Sequence, residues 1–152
     1  MNGLHIIANF YNCSFDFSKE QELLPFCKQL CIQNGLSVVG QTYFLFQPQG
    51  LTFALILAES HLSIHTWPED HNIAFDIYTC NINNDNSLKT KNVYEELKNL
   101  LQPERIDVKF IDMYKIFSGG RNYDKEKDDY DDYEPIAIKG AYNYKLKSIG
   151  NA

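Results

Sequence analysis

The chain of 152 residues lacks several features that would assign it quickly to a class. It contains no apolar run approaching the ~20 residues of a membrane-spanning helix, and its start, MNGLHIIANFYN, has no basic segment followed by a small-residue cleavage site. Positive charge is scarce: 14 Lys and Arg stand against 20 Asp and Glu, a net charge of -6 that disfavours nucleic acid as a partner. We therefore expect a cytoplasmic protein with neither a membrane nor a nucleic-acid partner.

Cysteine is also sparse. The four cysteines are Cys13, Cys27, Cys31 and Cys80, too scattered for a disulfide framework in a chain that has enough apolar residues for a core, so we expect thiols. Cys27 and Cys31 lie four positions apart in a segment expected to be helical. That spacing suits two metal ligands on one helix face, but two small buried hydrophobic side chains explain it equally well. We expect no metal site.

The chain does contain enough hydrophobic residues, 44%, for one core. The patterns predict strands near 4–11, 36–46, 51–58, 60–66, 73–80 and 105–114 and helices near 18–35 and 88–101. Ser18 with Gln21 resembles a capping box at the start of the first helix, and Gly35 suits its end. The links are too short for parallel crossovers, which predicts an α+β two-layer sandwich: an antiparallel sheet with two helices on one face. A homodimer would cover the other, partly apolar face.

The composition changes near residue 118. We predict a folded domain over 1–117 and an acidic C-terminal extension over 118–152, which begins SGGRNYDKEKDDYDDYEPIAIKG. A solvated tail is one interpretation. The others are a negative patch that attracts a cationic substrate or effector, and a strap across a partner subunit.

One stretch, LILAESHLSIHTWPED, sets polar residues where a strand should be most buried. They are Glu59, Ser60, His61, Ser63 and His65. A zinc site of His61 and His65 fails in extended chain, where four residues span ~13 Å. A serine hydrolase lacks its GxSxG elbow. Alternation on the solvent face of an antiparallel strand explains the polar residues without any chemistry.

Strand pairing adds a further possibility. If the hairpin around WPEDHN folds about Asp70, opposed residue numbers sum to 140 and Ser60 faces Cys80, a hydroxyl opposite a thiol. His65 lies five residues from Ser60, so in an ideal strand the two side chains point to opposite faces. A kink or bulge between them is required if His65 is to reach Ser60.

Two motifs carry a family resemblance. ESHLSIHTWPE (residues 59–69), followed by DIYTC (residues 76–80), closely resembles the prokaryotic S-adenosylmethionine decarboxylases, which process themselves and use a pyruvoyl group. GLHIIANFYNC and YFLFQPQGLT extend the resemblance to about residues 3–115. It implies a carboxy-lyase that converts S-adenosylmethionine to its decarboxylated form, the aminopropyl donor of polyamine and spermidine biosynthesis.

The resemblance implies that the chain cleaves itself between Glu59 and Ser60. Ser60 Oγ would attack the Glu59 carbonyl in an N-to-O acyl shift, aided by strain. Elimination and hydrolysis would then leave a β chain of 1–59 and an α chain of 60–152 that begins with the pyruvoyl group. The ketone of that group would form a Schiff base with the substrate amine and accept electrons as CO2 leaves.

The remaining site residues also come from the resemblance. His65 would remove the Ser60 α-proton during processing, Thr52 would assist processing, and Cys80 would return a proton to the substrate as general acid. Phe46 would stack on adenine near the sulfonium, and Glu69 would bind the ribose hydroxyls.

The sequence departs from the family pattern at four positions: relatives usually carry an acid at Asn9, a Gly at Asn81, and Gly with an aromatic at Asp70 and His71. With the acidic extension, these departures leave a pyruvoyl-dependent arginine or ornithine decarboxylase as the alternative. A non-catalytic homologue would not need the serine, histidine and cysteine that this chain retains.

Overall fold

The computed structural model describes residues 2–81 and 83–114. Its elements are β1 (Asn2–Cys13), α1 (Leu23–Gln33), β2 (Val38–Leu45), β3 (Leu51–Leu57), β4 (Ser60–Trp67), β5 (Asn72–Cys80), α2 (Ser87–Leu101) and β6 (Pro103–Tyr114), with short 3-10 helices at Phe17–Glu22 and Pro68–Asp70. The acidic extension predicted over 118–152 lies outside the described residues. No helix within the described ranges is long and apolar enough to cross a membrane.

The strands form one antiparallel sheet in the order β2-β3-β4-β5-β1-β6. Alternate residues of β3, β4 and β5 are buried, because one face of the sheet packs against α1 and α2. Leu97 and Leu101 of α2 are fully buried in this core, and full burial of such a side chain contributes about 1.5–3 kcal/mol. The α+β two-layer sandwich is confirmed.

The predicted thiols are free in the structure. Cys27 and Cys31 of α1 are fully buried among apolar side chains. Burial, and to a smaller extent the nearby charge of Glu59, raises the pKa of the Cys31 thiol to about 12. This pair therefore belongs to the hydrophobic core.

The other face of the sheet carries no helix within the described residues. Exposed apolar side chains lie on it, among them Ile7, Phe44, Ile56, Trp67 and Ile111. An open depression of about 610 Å³ runs across it, lined in part by Ile7, Phe44 and Ala54. We call this surface the bare face.

The start of the first helical segment differs from the prediction. Asp16, not Ser18, is the capping residue, and its carboxylate accepts hydrogen bonds from the Ser18 backbone N (3.1 Å) and hydroxyl (2.7 Å). The first turn is a 3-10 helix, so the capping box of Ser18 and Gln21 was wrong. The predicted end at Gly35 is confirmed, since Gly35 has a φ of 76° that favours glycine.

The hairpin of β4 and β5 is shifted by one residue from the predicted pairing. A 3-10 turn over Pro68–Asp70, with His71 left-handed at φ 56°, joins Trp67 to Asn72. The turn is therefore centred between two residues instead of on Asp70. Ser60 faces Thr79, not Cys80, and Cys80 bonds to the residue before Ser60.

Candidate active site

The tight turn between β3 and β4 places Ser60 in an unusual backbone conformation. Only Ala58 and Glu59 separate the two strands. Ser60 has a φ of 154°, in the positive range that residues with a side chain rarely adopt. Such conformations cost roughly 1–3 kcal/mol and occur often at functional sites. The serine is thus held at some energetic cost at the first position of a regular strand.

The Glu59 carbonyl, which precedes Ser60, accepts two hydrogen bonds from one residue. Both the backbone N and the Sγ of Cys80 donate to it, each at 3.0 Å. The Glu59 carboxylate accepts from the Ser37 backbone N at 3.1 Å and ties down the outer side of the turn. Two donors on one carbonyl oxygen polarise it toward attack. We call the group of Glu59, Ser60 and Cys80 the cleavage end of the site.

A polar network extends from Ser60 onto the bare face. Ser60 Oγ lies 3.1 Å from His61 Nδ1, and His61 Nε2 lies 3.0 Å from Asp76 Oδ2. Asp76 also bonds His5 Nε2 at 2.8 Å and accepts from the Ser63 hydroxyl. Burial alone would raise the pKa of Asp76, but the hydrogen bonds from Ser63, His5 and His61 together hold it below its ordinary value. Asp76 is therefore ionised at neutral pH.

The sequence did not lead us to His5 and Asp76. Each is a titratable residue in a largely apolar strand, and each lies in a stretch that carries the family resemblance, but their proximity depends on β1 pairing with β5. Ligand atoms of His5, His61 and Asp76 lie within 4.8 Å of one another. That is close enough to share an ion, but all three are already joined by hydrogen bonds. The pair first considered for zinc, His61 and His65, lies in extended chain, as expected.

The other predicted site residues gather at the opposite end of β4. Thr52 Oγ1 lies 2.8 Å from His65 Nδ1. The ring of Phe46 lies 5.4 Å from that of His65, and Glu69 is exposed in the turn that follows β4. We call the group of Phe46, Thr52, His65 and Glu69 the far end of the site.

Strand geometry separates the two ends. β4 pairs in unbroken register with both neighbours from Ser60 to His65, so the bulge required for contact is absent from this segment. Five residues of strand span ~16 Å. The structure therefore brings Glu59, Ser60 and Cys80 together, and Phe46 and Thr52 to His65, but does not bring His65 to Ser60 of the same chain.

Comparisons with known proteins identify the family. The model of the S-adenosylmethionine decarboxylase family matches residues 4–113. The chain belongs to this family of carboxy-lyases. It is 33% identical over 116 residues to the S-adenosylmethionine decarboxylase proenzyme of Clostridium botulinum (strain Langeland), covering 76% of this chain and 97% of that protein.

Two further members of the family support the assignment. The proenzyme of Persephonella marina is 37% identical over 108 residues, covering 70% of this chain and 78% of that protein. The crystal structure of the adenosylmethionine decarboxylase from Aquifex aeolicus superposes with a TM-score of 0.66 at 29% identity, covering 79% of this chain and 97% of the other. The family resemblance and the fold expected from the sequence are both confirmed.

Proposed function

We propose that this chain cleaves itself between Glu59 and Ser60 and then decarboxylates S-adenosylmethionine with the pyruvoyl group formed at residue 60. One observation carries the proposal: the Glu59 carbonyl receives two hydrogen bonds from Cys80 next to a serine with a φ of 154°. Relatives that carry the word proenzyme in their names support a processing step.

The first step is an acyl shift at the cleavage end. Ser60 Oγ attacks the carbonyl carbon of Glu59, and the N–H and thiol of Cys80 stabilise the negative charge that develops on the carbonyl oxygen. Relief of the backbone strain at Ser60 offsets part of the cost of turning an amide into an ester. Cys80 thus has a role in processing that the sequence did not suggest.

The residues fit the pyruvoyl group that the family implies. Ser60 starts a strand next to an open face, so the new terminus borders solvent and the bare face. The group supplies a ketone that captures the substrate amine and accepts the electrons released as CO2 leaves. Cys80 lies on the neighbouring strand, half-buried beside residue 60, where its thiol can return a proton as general acid.

His65 must act from a second copy of the chain. In its own chain it lies ~16 Å along β4 from Ser60, too far to remove the Ser60 α-proton. Thr52 bonds its Nδ1 and so orients the ring. A two-fold axis through the bare face would bring the far end of one subunit to the cleavage end of the other, and would cover the exposed Phe44 and Ile56. We therefore propose a homodimer of processed subunits in which each site is shared.

The far end supplies the substrate contacts in this arrangement. Phe46 is 40% exposed and offers a π face for adenine and the sulfonium cation. The exposed carboxylate of Glu69 can accept hydrogen bonds from both ribose hydroxyls. Decarboxylated S-adenosylmethionine would then serve as aminopropyl donor in cytoplasmic polyamine, and specifically spermidine, biosynthesis.

Two measurements test the proposal. Mass spectrometry of the purified protein should find chains of residues 1–59 and 60–152, the second with a ketone terminus, and Ser60→Ala should give one uncleaved, inactive chain. CO2 release from S-adenosylmethionine, arginine and ornithine should then favour S-adenosylmethionine. An intact, ketone-free protein contradicts self-processing, whereas preference for arginine or ornithine contradicts the substrate and keeps the chemistry.

A further inference from the structure

The acyl shift needs a base for the Ser60 hydroxyl, and one imidazole lies within reach. His61 Nδ1 is 3.1 Å from Ser60 Oγ. His65 of the same chain is ~16 Å away along a regular strand. The structure therefore offers a group for the first proton transfer that differs from the one assigned to the later loss of the α-proton.

Asp76 determines which nitrogen of His61 is free. An ionised carboxylate only accepts hydrogen bonds, so the proton of neutral His61 lies on Nε2, which faces Asp76 at 3.0 Å. The lone pair is then on Nδ1, facing Ser60. His5 and Ser63 also donate to Asp76, which fixes the carboxylate and, through it, the imidazole ring.

We propose that His61, oriented by Asp76, is the general base of self-cleavage, an assignment that rests on the proposed function. The Ser60 hydroxyl proton passes to His61 Nδ1 as the bond from Ser60 Oγ to the Glu59 carbonyl carbon forms. When the bond from that carbon to Ser60 N breaks, the same proton passes from His61 to the amine. The product is an ester with a free amino group, and the imidazole is regenerated without any co-reactant.

The experiment follows this first step in the full chain. Newly translated protein is quenched at intervals with hydroxylamine, which cleaves an ester at residue 59, so the cleaved fraction reports the acyl shift whether or not elimination follows. Because general-base catalysis contributes roughly 100-fold or more, His61→Ala should slow the shift by about that factor. Added imidazole should raise the rate of the acyl shift in His61→Ala by ~10-fold or more, since a small base can enter the space left by the side chain.

Two further variants control for folding and location. His61→Gln fills the space without a base and should be slow, with no rescue by imidazole, while keeping the thermal unfolding midpoint of the starting protein. His71→Asn removes an imidazole at the far side of the same hairpin, where Asn suits the left-handed backbone. It should be cleaved at the unaltered rate.

The outcomes separate the proposals. Unaltered cleavage of His61→Ala, or slow cleavage without imidazole rescue, overturns the role of His61 and leaves self-processing intact. Loss of cleavage on chelation, restored by zinc, would instead make His5, His61 and Asp76 a metal site and would also overturn it. If the unsubstituted chain gives no cleavage at residue 59, the proposed function and this inference fall together.

Asp76 is a positioning residue, and its role is tested by comparing the rate of the acyl shift in the single variants with the rate in the double variant. Asp76→Asn should slow the acyl shift, but His61→Ala with Asp76→Asn should be no slower than His61→Ala alone, because the carboxylate acts through the imidazole. If Asp76 only stabilised the fold, the two losses would multiply, which would contradict the relay.

Discussion

The two ends of β4 differ in how their chemistry is held. At the cleavage end, Ser60 and the Glu59 carbonyl lie in a tight turn, and two hydrogen bonds from Cys80 fix the carbonyl. At the far end, the side chain of His65 is hydrogen-bonded to Thr52 and has aromatic neighbours that are partly exposed. In the proposed mechanism the first group could begin the reaction within one chain, whereas the second would act on a group from another chain.

This difference shows that closeness in sequence is a poor guide to shared chemistry within a strand. Ser60 and His65 belong to one short motif, yet a regular strand keeps them ~16 Å apart. The proposed two-fold arrangement would resolve the separation, because the two ends of one strand could then serve two different sites. In that arrangement the motif would supply half of each of two sites.

The largest effect is expected when a chain altered at the cleavage end is combined in one dimer with a chain altered at the far end. Ser60→Ala and His65→Ala should each be inactive alone, the first uncleaved and the second arrested before pyruvoyl formation. Coexpressed with different tags, they should form mixed dimers with one intact shared site, giving roughly a quarter of full activity from random pairing. The measurement is CO2 release together with the identity of the cleaved chain.

The identity of that chain makes the test specific. Only the chain with His65→Ala has a serine to convert, so only its tag should accompany processed fragments. A pair of chains that both carry His65→Ala is the control and should remain inactive. Failure of the mixed dimer to process, despite copurification of both tags, would contradict a shared site.

Substitution at the far end should separate binding from cleavage. Phe46→Ala removes the stacking face, and loss of one such stacking contact costs about 1–3 kcal/mol, so kcat/KM for S-adenosylmethionine should fall roughly 10- to 100-fold. The acyl shift at Ser60 should be unchanged, because Phe46 packs edge-on against His65, which in the proposed mechanism acts only in the later loss of the α-proton. Val39→Ala, at an exposed position of β2, the edge strand that precedes Phe46, is the matched control for kinetics. Slower cleavage of Phe46→Ala would contradict the division between the two ends.

Much of the fold could be predicted because local pattern and tertiary burial agree. The period-2 alternation of β5 appears as alternate burial along the whole strand. The sequence also predicted a cysteine near the serine. It missed the register by one residue, because a turn with His71 left-handed centres the hairpin differently from one folded about Asp70.

The network on the bare face could not be predicted from one strand at a time. Asp76 meets His61 because β4 pairs with β5, and it meets His5 because β5 pairs with β1. No local propensity encodes that β1 inserts between the last two strands of the sheet. The separation of His65 from Ser60 was foreseen as a problem, but whether a bulge solved it depended on the pairing of three strands.

Glycine substitutions should show how tightly the cleavage end is packed. Gly3 pairs with Cys80, and a Cβ there would lie 2.7 Å from the Thr79 carbonyl oxygen and 2.8 Å from the Tyr78 ring. Gly3→Ala should lower the free energy of unfolding by about 1–3 kcal/mol through this overlap, and should also slow cleavage. Gly40→Ala, where the nearest atom would be 3.5 Å away, is the control. If Gly3→Ala and Gly40→Ala had the same free energy of unfolding in urea, the backbone near Cys80 would be able to move and make room for the added methyl group.

The smallest expected effect is an acid dependence confined to the Asp76 network. Burial raises the pKa of folded Asp76, but the hydrogen bonds to it together outweigh burial and hold the pKa below the ordinary 3.8. The carboxylate therefore adds stability above that pH, and this stability is lost as pH falls through the folded pKa. In an uncleavable Ser60→Ala background, Asp76→Asn should therefore have a lower free energy of unfolding than its parent at pH 6. The difference between the two free energies should become smaller as the pH falls below the ordinary pKa of an aspartate. Asp107→Asn, which removes an exposed 3.6 Å ion pair with Arg105, is the control and should differ little from the parent at pH 6. If the free energy of unfolding of Asp76→Asn, measured in urea, differed from that of its parent by the same amount across this pH range, the charge of Asp76 would not be what holds His61 and His5 in the network.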